Sequence, residues 1–442
     1  MGMLDSLPTR IVRRLEGMSE GISRALREVG TEIRQEYADP DEPDNGGPTP
    51  LSYAALKGPE EAVGILPGKK EVYPDKPDID GRTPLFHAAW YVHEEVVKVL
   101  PGRKEVNPDK PDNCGRTPLL HAAWYGKEEV VKVLLGRKEI NPDKPDDYGR
   151  TPLWHAASYG HGHVVEALLE RGEVNPNGRD NGGWTPLVCA ASSGHGEVVK
   201  ALLRRKGVDP DLSDIYGRTP LFHAAWSGHW EVAKALLERD DVNPNEPDKG
   251  GWTPLAWAAA SGHGEVVEAL LERGGVGPNE SDEDGWTPLA WAAASGHGEV
   301  VKVLLRRKEV NSDPSDIYGR TPLFHAAWHG HGEVAKALLE RDDVNPNEPD
   351  KGGWTPLAWA AASGHGEVVK ALLERDEVNP NESDEDGWTP LAWAASSGYG
   401  EVVKVLLKLE EVDPDKPDKY GMTPLSRAAL NGHKEVVKML VE

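Results

Sequence analysis

Hydrophobic and polar positions along the chain form two short helical patterns separated by one glycine. In residues 117–125, TPLLHAAWY, the threonine suits an N-cap and the proline suits a first helical position, where its missing N–H costs nothing. After Gly126, apolar residues recur at i, i+1, i+4 and i+5, which is the stripe of a helix that buries one face. This stripe consists of Val130, Val131, Leu134 and Leu135. The residues that we expect to be buried are Leu119, Ala122, Val131 and Leu134.

The same pattern returns every 34 residues, because Thr-Pro-Leu begins at twelve evenly spaced positions. The twelve threonines are Thr49, Thr83, Thr117, Thr151, Thr185, Thr219, Thr253, Thr287, Thr321, Thr355, Thr389 and Thr423. Between one helix pair and the next, residues 136–150 contain Pro142 and Pro145, which exclude a helix. Each repeat therefore has a short helix pair and a long non-helical finger. The finger leaves no room in the repeat for the two long helices of a tetratricopeptide unit, although 34 residues is the usual tetratricopeptide period.

The residue order D-x-x-G-x-T-P-L-x-x-A-A-x-x-G-x-x-E-V-V-x-x-L-L resembles the ankyrin repeat and covers residues 44–442 in twelve copies. The resemblance implies an all-α repeat solenoid of stacked helix-turn-helix units with extended β-turn fingers. Asp112 predicts a side-chain-capped turn at the finger tip. In one departure from the family pattern, the finger is one residue longer and rich in proline. In another, the histidine that often follows Thr-Pro-Leu is displaced by one place, as at His87, so we expect its hydrogen bonds to be rearranged.

Residues 1–38 form a different kind of segment, followed by an acidic, proline-rich linker at residues 39–43. Apolar residues from Ile11 to Ile33 are spaced by three or four, which predicts one amphipathic helix. The favoured role is a cap on the first repeat, since terminal repeats require one. A second role is self-association or contact with a partner helix, which would make the chain an oligomer. Membrane anchorage is disfavoured: the residues after Met1 fit a short myristoylation pattern at Gly2, but the segment has no net positive charge.

The charge of the chain excludes some classes of partner. Its net charge of -24 comes from 50 basic and 74 acidic residues, so nucleic acid and anionic membranes are disfavoured. The sequence contains no apolar run of eighteen residues and no signal peptide, which argues against a transmembrane or secreted protein. Cys114 and Cys189 are too far apart to suggest a disulfide framework. We therefore expect a reducing, cytoplasmic or nuclear location.

The repeats are of two kinds, distinguished by the residue after the finger glycine. Gly-Arg repeats carry His and then Trp on the first helix, as in His121 with Trp124. Gly-Trp repeats carry Trp and then Ala or Ser, as in Trp257 with Ala260. These two positions lie three residues apart on one face of the first helix. Because a large residue at one of them accompanies a smaller one at the other, the pattern predicts packing between adjacent first helices.

A recent duplication makes repeated histidines weak evidence for chemistry. Residues 215–316 align with residues 317–418 without a gap and differ at 15 of 102 positions, so identity between them records ancestry. The two His-Gly-His sequences, at residues 161–163 and 329–331, suit metal binding, but no second pair of ligands recurs at a suitable spacing. No phosphate-binding loop or Ser/His/Asp set is present either. We therefore expect no catalytic residue, no metal and no cofactor.

The ankyrin resemblance implies that a partner binds on the concave side, at finger tips and first helices. In repeats two to four these positions hold Arg, Trp and Tyr, which dominate the energetics of interfaces. The expected partner-binding residues are Arg82, Trp90, Tyr91, Arg116, Trp124, Tyr125, Tyr148, Arg150 and Tyr159. Later repeats offer mostly Ala and Ser there. The exceptions are tryptophans at the position after the finger glycine: Trp252, Trp286, Trp354 and Trp388.

The expected function is a non-catalytic protein–protein interaction scaffold. Two roles are open for the arginines: binding carboxylates of an extended segment with alternating acidic and apolar residues, or pairing with finger aspartates such as Asp112 and Asp146. The near-identical copies also resemble the ankyrin arrays of fungal NACHT-type receptors. The alternative function is an enzyme or small-molecule binder on the aromatic, histidine-rich face. An enclosed pocket at His87, His121 and His155 would favour it.

Overall fold

The computed structural model describes residues 49, 51, 52, 55, 73–100 and 104–442. The predicted helix in residues 1–38, the linker at residues 39–43 and most of the first repeat lie outside these described residues. The chain divides into two compact units, residues 1–178 and residues 179–442. Both are built from the same kind of repeat.

Short α-helices make up both units, and no strand occurs among the described residues. In the first unit the helices are α1 (Pro84–Tyr91), α2 (Glu94–Val99), α3 (Pro118–Trp124), α4 (Glu128–Leu135), α5 (Pro152–Ser158) and α6 (Gly162–Glu170). In the second unit they are α7 (Pro186–Ser192), α8 (Gly196–Arg204), α9 (Pro220–Ser227), α10 (Trp230–Leu237), α11 (Pro254–Ala260), α12 (Gly264–Glu272), α13 (Pro288–Ser295), α14 (Gly298–Leu305), α15 (Pro322–His329), α16 (Gly332–Leu339), α17 (Pro356–Ser363), α18 (Gly366–Leu373), α19 (Pro390–Ser397), α20 (Gly400–Leu406), α21 (Pro424–Leu430) and α22 (Lys434–Val441). Within each unit, first helices of neighbouring repeats pack together, and so do second helices. The predicted all-α repeat solenoid is confirmed.

Each first helix begins at the Thr-Pro pair, as predicted. In α3 the Thr117 Oγ1 accepts a hydrogen bond from the backbone N–H of Leu120 at 3.1 Å. Pro118 takes the first helical position, whose N–H would have no helical partner. The residues expected in the core, Leu119, Ala122, Val131 and Leu134, are fully buried.

At the turn between the two helices of a repeat, one residue has the left-handed backbone conformation, and a side chain of the next repeat covers it. At Gly262 φ is +79°, and a Cβ there would lie 2.6 Å from Nδ1 of His297 in the next repeat. Glycine suits this position because it adopts a positive φ without strain and has no Cβ that would meet the histidine ring. In the second repeat Val92 holds this position with a φ of 64°, and the next repeat carries Lys127 in place of the covering histidine. Without that ring the valine side chain fits, but its backbone remains strained.

A side chain eight residues before each Thr-Pro pair connects neighbouring repeats. Asn279 uses both of its polar atoms: Oδ1 accepts from the N–H of Asn311 at 2.7 Å, and Nδ2 donates to the Glu309 carbonyl at 2.7 Å. Asp143 accepts the equivalent bond from the N–H of Asn175 at 2.8 Å, but its Oδ1 is buried with no partner among the described residues. Burial raises the pKa of Asp143, although the bond from Asn175 opposes the shift. The same oxygen lacks a partner in Asp75, Asp109, Asp211 and Asp313.

Replacing Val92 with glycine should stabilise the chain. A side chain in the left-handed region costs roughly 1–2 kcal/mol, and glycine removes that strain. We expect Val92→Gly to raise the midpoint of chemical denaturation, while Gly262→Ala, the matched control, should lower it because its Cβ meets the His297 ring. A lower midpoint for Val92→Gly would show that the turn is not strained.

Replacing Asp143 with asparagine should stabilise the chain at neutral pH by about 1 kcal/mol, since the amide can donate where the carboxylate oxygen has no partner. Ionising Asp143 costs more in the folded than in the unfolded chain, so wild-type stability falls as pH rises from about 4 through the raised pKa. The gain should therefore be present at pH 7 and absent near pH 3 in denaturation curves. Asn279→Asp should show the opposite sign at pH 7. An equal gain at both pH values would refute the ionisation argument.

Candidate partner-binding face

One aspartate fixes the conformation of each described finger tip. Asp146 Oδ1 accepts hydrogen bonds from the backbone N–H groups of Tyr148 and Arg150, both at 3.0 Å. These two bonds close the predicted side-chain-capped turn. The same pair of bonds is made by Asp78, Asp112, Asp180, Asp214, Asp248, Asp282, Asp316, Asp350, Asp384 and Asp418.

The second oxygen of this aspartate ties the finger to the first helix. His155 Nε2 lies 3.1 Å from Asp146 Oδ2. Burial lowers the pKa of His155 despite the opposing bond from Asp146, and its Nδ1 is buried without a partner among the described residues. The neutral ring therefore donates from Nε2. This bond is the rearrangement expected from the displaced histidine.

Other repeats fill the same position with a different donor. His87, His223 and His325 approach their finger aspartates at 3.0–3.2 Å. Trp291 and Trp393 donate Nε1–H at 3.0 Å, and Arg427 donates Nε–H at 2.9 Å. We call this unit of one finger aspartate and one helix donor the finger clasp. A histidine, an indole or a guanidinium can complete it because each supplies an N–H, although the Nε1 atoms of Trp257 and Trp359 have no partner among the described residues.

His121 is the exception in the first unit. Its aspartate, Asp112, instead accepts from Arg116 Nε at 2.9 Å. The His121 ring lies between two aromatic neighbours, 4.5 Å from Trp90 and 4.7 Å from Tyr125. Burial, with the positive charge of Arg116 adding to it, lowers the pKa of His121 to about 3. This histidine therefore packs as a neutral ring.

Aromatic rings connect the first helices of repeats two to four. Trp90 lies 6.4 Å from Tyr125 in the next repeat, centroid to centroid. Trp124 lies 4.7 Å from His155 and 6.0 Å from Tyr159, again in the next repeat. The packing predicted between adjacent first helices is confirmed by these contacts.

Three tyrosines form the exposed edge of this ladder. Tyr91, Tyr125 and Tyr159 hold the same position at the ends of α1, α3 and α5, and they are 49%, 47% and 51% exposed. We call these residues the tyrosine row. Trp90 and Trp124 lie beneath it and are less exposed. Tyr148 is exposed on the fourth finger, 4.5 Å from the guanidinium carbon of Arg150.

The three arginines of the face are paired inside the protein. Arg116 Nη2 lies 2.8 Å from Asp112 Oδ2, and Arg150 Nε lies 3.0 Å from Asp146 Oδ2. The second of the two roles considered for these arginines, pairing with finger aspartates, is therefore observed. Arg82 pairs with Asp80, whose side chain is 55% exposed at the finger tip.

All nine residues predicted to bind a partner lie in the first unit, and ring or cation contacts link them. Arg82 lies over Trp90 at 5.0 Å, and Arg116 lies over Trp124 at 5.8 Å. The face therefore combines exposed tyrosines with arginines whose charge is partly neutralised.

The finger tryptophans of the second unit lie between rings. Trp252 is 4.5 Å from Trp257 of its own repeat and 4.2 Å from Trp291 of the next. Trp354 is placed in the same way, at 4.6 Å and 4.3 Å from its two neighbours. These residues pack one repeat against the next. The sequence signal for this role was the joint presence of a finger Trp and a helix Trp in Gly-Trp repeats.

The histidines at the helix-helix turns also serve packing. His161 Nε2 lies 2.9 Å from the Trp124 carbonyl, and His331 Nε2 lies 3.0 Å from the Ala294 carbonyl, in both cases in the preceding repeat. No group of three or more potential metal ligands occurs within the described part of the chain. His87, His121 and His155 are buried in the packing. No helix in the described ranges is long and apolar enough to cross a membrane.

Repeats of one finger and one helix pair, each bonded to the next, define a helical-repeat protein. The sequence family described as ankyrin repeats (3 copies) matches overlapping stretches along the chain. These stretches are residues 19–112, 65–146, 100–180, 137–214, 164–248, 197–281, 240–314, 274–350, 309–384, 343–418 and 376–442. The chain belongs to the ankyrin-repeat family, whose repeats are generally protein–protein interaction modules and non-catalytic scaffolds. No individual curated protein was found to match it.

Breaking one finger clasp should destabilise the chain. In Asp282→Asn, Oδ1 can still accept the backbone N–H groups, but the new amide nitrogen faces the Nε1–H of Trp291. We expect the free energy of unfolding, measured by urea denaturation, to fall by about 1–3 kcal/mol, since a buried donor loses its acceptor. Glu283→Gln removes the same charge at the exposed neighbouring position and should change stability by less than about 0.5 kcal/mol. Equal effects of the two changes would mean that charge, and not the clasp, matters.

Proposed function

We propose that the chain is a non-catalytic scaffold that binds a partner protein on the face of repeats two to four. The observation that carries the proposal is the tyrosine row, three half-exposed rings at equivalent positions of successive repeats. Ordinary solvated repeats do not need aromatic residues at this position: Ser261 and Ser295 hold it in the seventh and eighth repeats.

The packing beneath the row favours binding. Trp90 and Trp124 hold the tyrosine rings at stacking distances of 6.0 Å and 5.6 Å, so the rings lose little conformational freedom when a partner covers them. Tyrosine also combines a large apolar surface with a hydroxyl that hydrogen-bonds at a wet rim. A pre-ordered row of this kind suits a chain that runs across several repeats.

The partner that suits this face is an extended segment with alternating apolar and acidic side chains. Its apolar side chains would cover the tyrosine row. Its acidic side chains would meet Arg82, which pairs only with the exposed Asp80, more readily than Arg116, which is held by a buried carboxylate. The net charge of -24 argues against nucleic acid as the partner. An intracellular partner is part of the proposal.

The test is affinity capture from a cell lysate with the wild-type chain and a triple variant, Tyr91→Ala, Tyr125→Ala and Tyr159→Ala. These side chains are exposed, so the variant should fold, and a specific partner should bind at least about 30-fold more weakly if the row supplies anchor residues. Tyr420→Ala removes an exposed tyrosine from the last finger and should retain the partner. A partner that the triple variant captures as well as the wild type would place binding elsewhere. A chain lacking residues 1–38, captured in parallel, tests whether that segment contributes.

A further inference from the structure

The sixth repeat exposes apolar side chains around one arginine. The guanidinium carbon of Arg218 lies 5.0 Å from the Trp226 ring and 5.1 Å from the Tyr216 ring. Ile215, at the same finger tip, is exposed, as are both of these rings. We call Ile215, Tyr216, Arg218 and Trp226 the sixth-repeat cluster.

The ninth repeat, in the same unit, carries the same arrangement. The guanidinium carbon of Arg320 lies 4.7 Å from the Trp328 ring and 4.8 Å from the Tyr318 ring. Ile317 and Tyr318 are exposed at its finger tip. Ile317, Tyr318, Arg320 and Trp328 form the ninth-repeat cluster, which is the duplicated copy of the first.

The arginines of these clusters keep their charge available, unlike those of repeats three and four. The Arg320 side chain makes no hydrogen bond or ion pair within the described part of the chain, and its buried Nε has no partner there. Arg218 makes one long contact, 3.5 Å from Nε to Asp248 Oδ2. Arg116 and Arg150, in contrast, lie 2.8 Å and 3.0 Å from carboxylates that are only 1% exposed.

The surroundings of the clusters add further positive charge. The next finger tip places exposed Lys249 beside the sixth-repeat cluster and exposed Lys351 beside the ninth, each with its backbone N–H bonded to the cluster tyrosine carbonyl at 2.9 Å. Carboxylates near the two clusters are Asp214, Asp248, Asp284, Asp316 and Asp350. Asp214 and Asp316 are buried and are occupied by backbone N–H groups and a clasp histidine, so they do not neutralise the arginines.

The geometry also fixes what the arginines can bind. Aromatic rings crowd each guanidinium, as in cation–π pairs, and its terminal N–H groups have no acceptor in Arg320. Such a fork binds a carboxylate through two parallel hydrogen bonds. The exposed isoleucine beside it, together with exposed Trp226 in the sixth repeat and half-buried Trp328 in the ninth, offers contact to an apolar side chain.

We propose that each cluster binds one aspartate or glutamate of an extended partner segment, together with an adjacent apolar side chain. Arg218 and Arg320 are 102 residues apart, which is three repeats and roughly 30 Å at the usual helix spacing. A partner that carries two such motifs therefore binds with increased avidity. The proposal does not rest on the tyrosine row, because it concerns different residues in the other unit.

The test starts from a random dodecapeptide library displayed on phage and selected against the full chain. Enriched peptides should contain Asp or Glu beside an aliphatic or aromatic residue. Calorimetric titration of one synthetic enriched peptide should give two sites per chain, one site after Arg218→Ala or Arg320→Ala, and none after both. Changing the peptide's Glu to Gln should weaken binding about tenfold or more, which reports on the carboxylate without altering the protein.

The matched control is the double variant Arg204→Ala and Arg306→Ala, which removes two exposed arginines with the same 102-residue spacing, and it should still bind the peptide at two sites. Arg218→Lys with Arg320→Lys should also weaken binding, since the charge remains but the fork is lost. Four results would overturn the proposal: no enriched peptide, enriched peptides without an acidic residue, equal loss in the control variant, or loss in Arg116→Ala with Arg150→Ala and not in the cluster variants. The last result would move carboxylate binding to repeats two to four and leave the proposed scaffold function standing.

Discussion

The finger aspartate is the residue on which the rest of each described repeat depends. A finger of about fifteen residues with several prolines cannot satisfy its backbone N–H groups through a helix or a sheet, yet it must bring its tip beside the first helix. One buried carboxylate solves both problems, since Oδ1 binds two tip N–H groups and Oδ2 binds a donor on the helix. The residue just before Thr-Pro, the tip and the helix face are thereby held in one fixed arrangement, and this is the surface on which a partner would bind.

The clasp also explains why the repeats come in two kinds. Any N–H donor completes it, so the helix position accepts His155, Trp291 or Arg427. Each donor leaves a different ring or charge against the next repeat, and the neighbouring position adjusts to it. Where His87, His223 or His325 completes the clasp, the tryptophan three residues on contacts a ring of the following repeat. Where Trp291 or Trp393 completes it, a finger tryptophan packs against the clasp ring instead. An arginine follows the finger glycine in the histidine kind, whereas the tryptophan kind uses that position for packing.

Much of the fold was predictable from sequence because it depends on local chemistry. The Thr-Pro starts, the buried stripe of Leu119 and Val131 and the tip turn at Asp112 all follow from residues close together in the chain. The 34-residue spacing also places the nine candidate residues at equivalent positions of successive repeats, while their part in binding stays a prediction. What could not be predicted depends on distances between repeats. Pairing was weighed as one of two roles for Arg116. Only the structure could show that Asp112 holds Arg116, whereas the Arg320 side chain has no ion-pair partner among the described residues. The stacking role of Trp252 and the strain at Val92 likewise depend on which side chain the next repeat supplies.

The two proposed carboxylate-binding sites are duplicated copies with the same residues, but the residues around them differ. Both copies retain Ile-Tyr-Gly-Arg at the tip and the histidine that completes the clasp, so sequence alone gives two equal sites. Their settings differ nevertheless: Arg218 has Asp248 at 3.5 Å, and the ninth-repeat tip is bonded to the carbonyl of Asp284, whereas the sixth-repeat tip is bonded to that of Gly182. In the sixth-repeat site, Arg218 has one long contact with Asp248, and the bonded residue of the preceding finger tip, Gly182, is uncharged. In the ninth-repeat site, the Arg320 side chain has no ion pair among the described residues, and the bonded residue of the preceding finger tip, Asp284, is acidic. Because these differences act in opposite directions, we expect neither site to dominate, so a partner that carries two linked motifs gains from the second binding event being intramolecular.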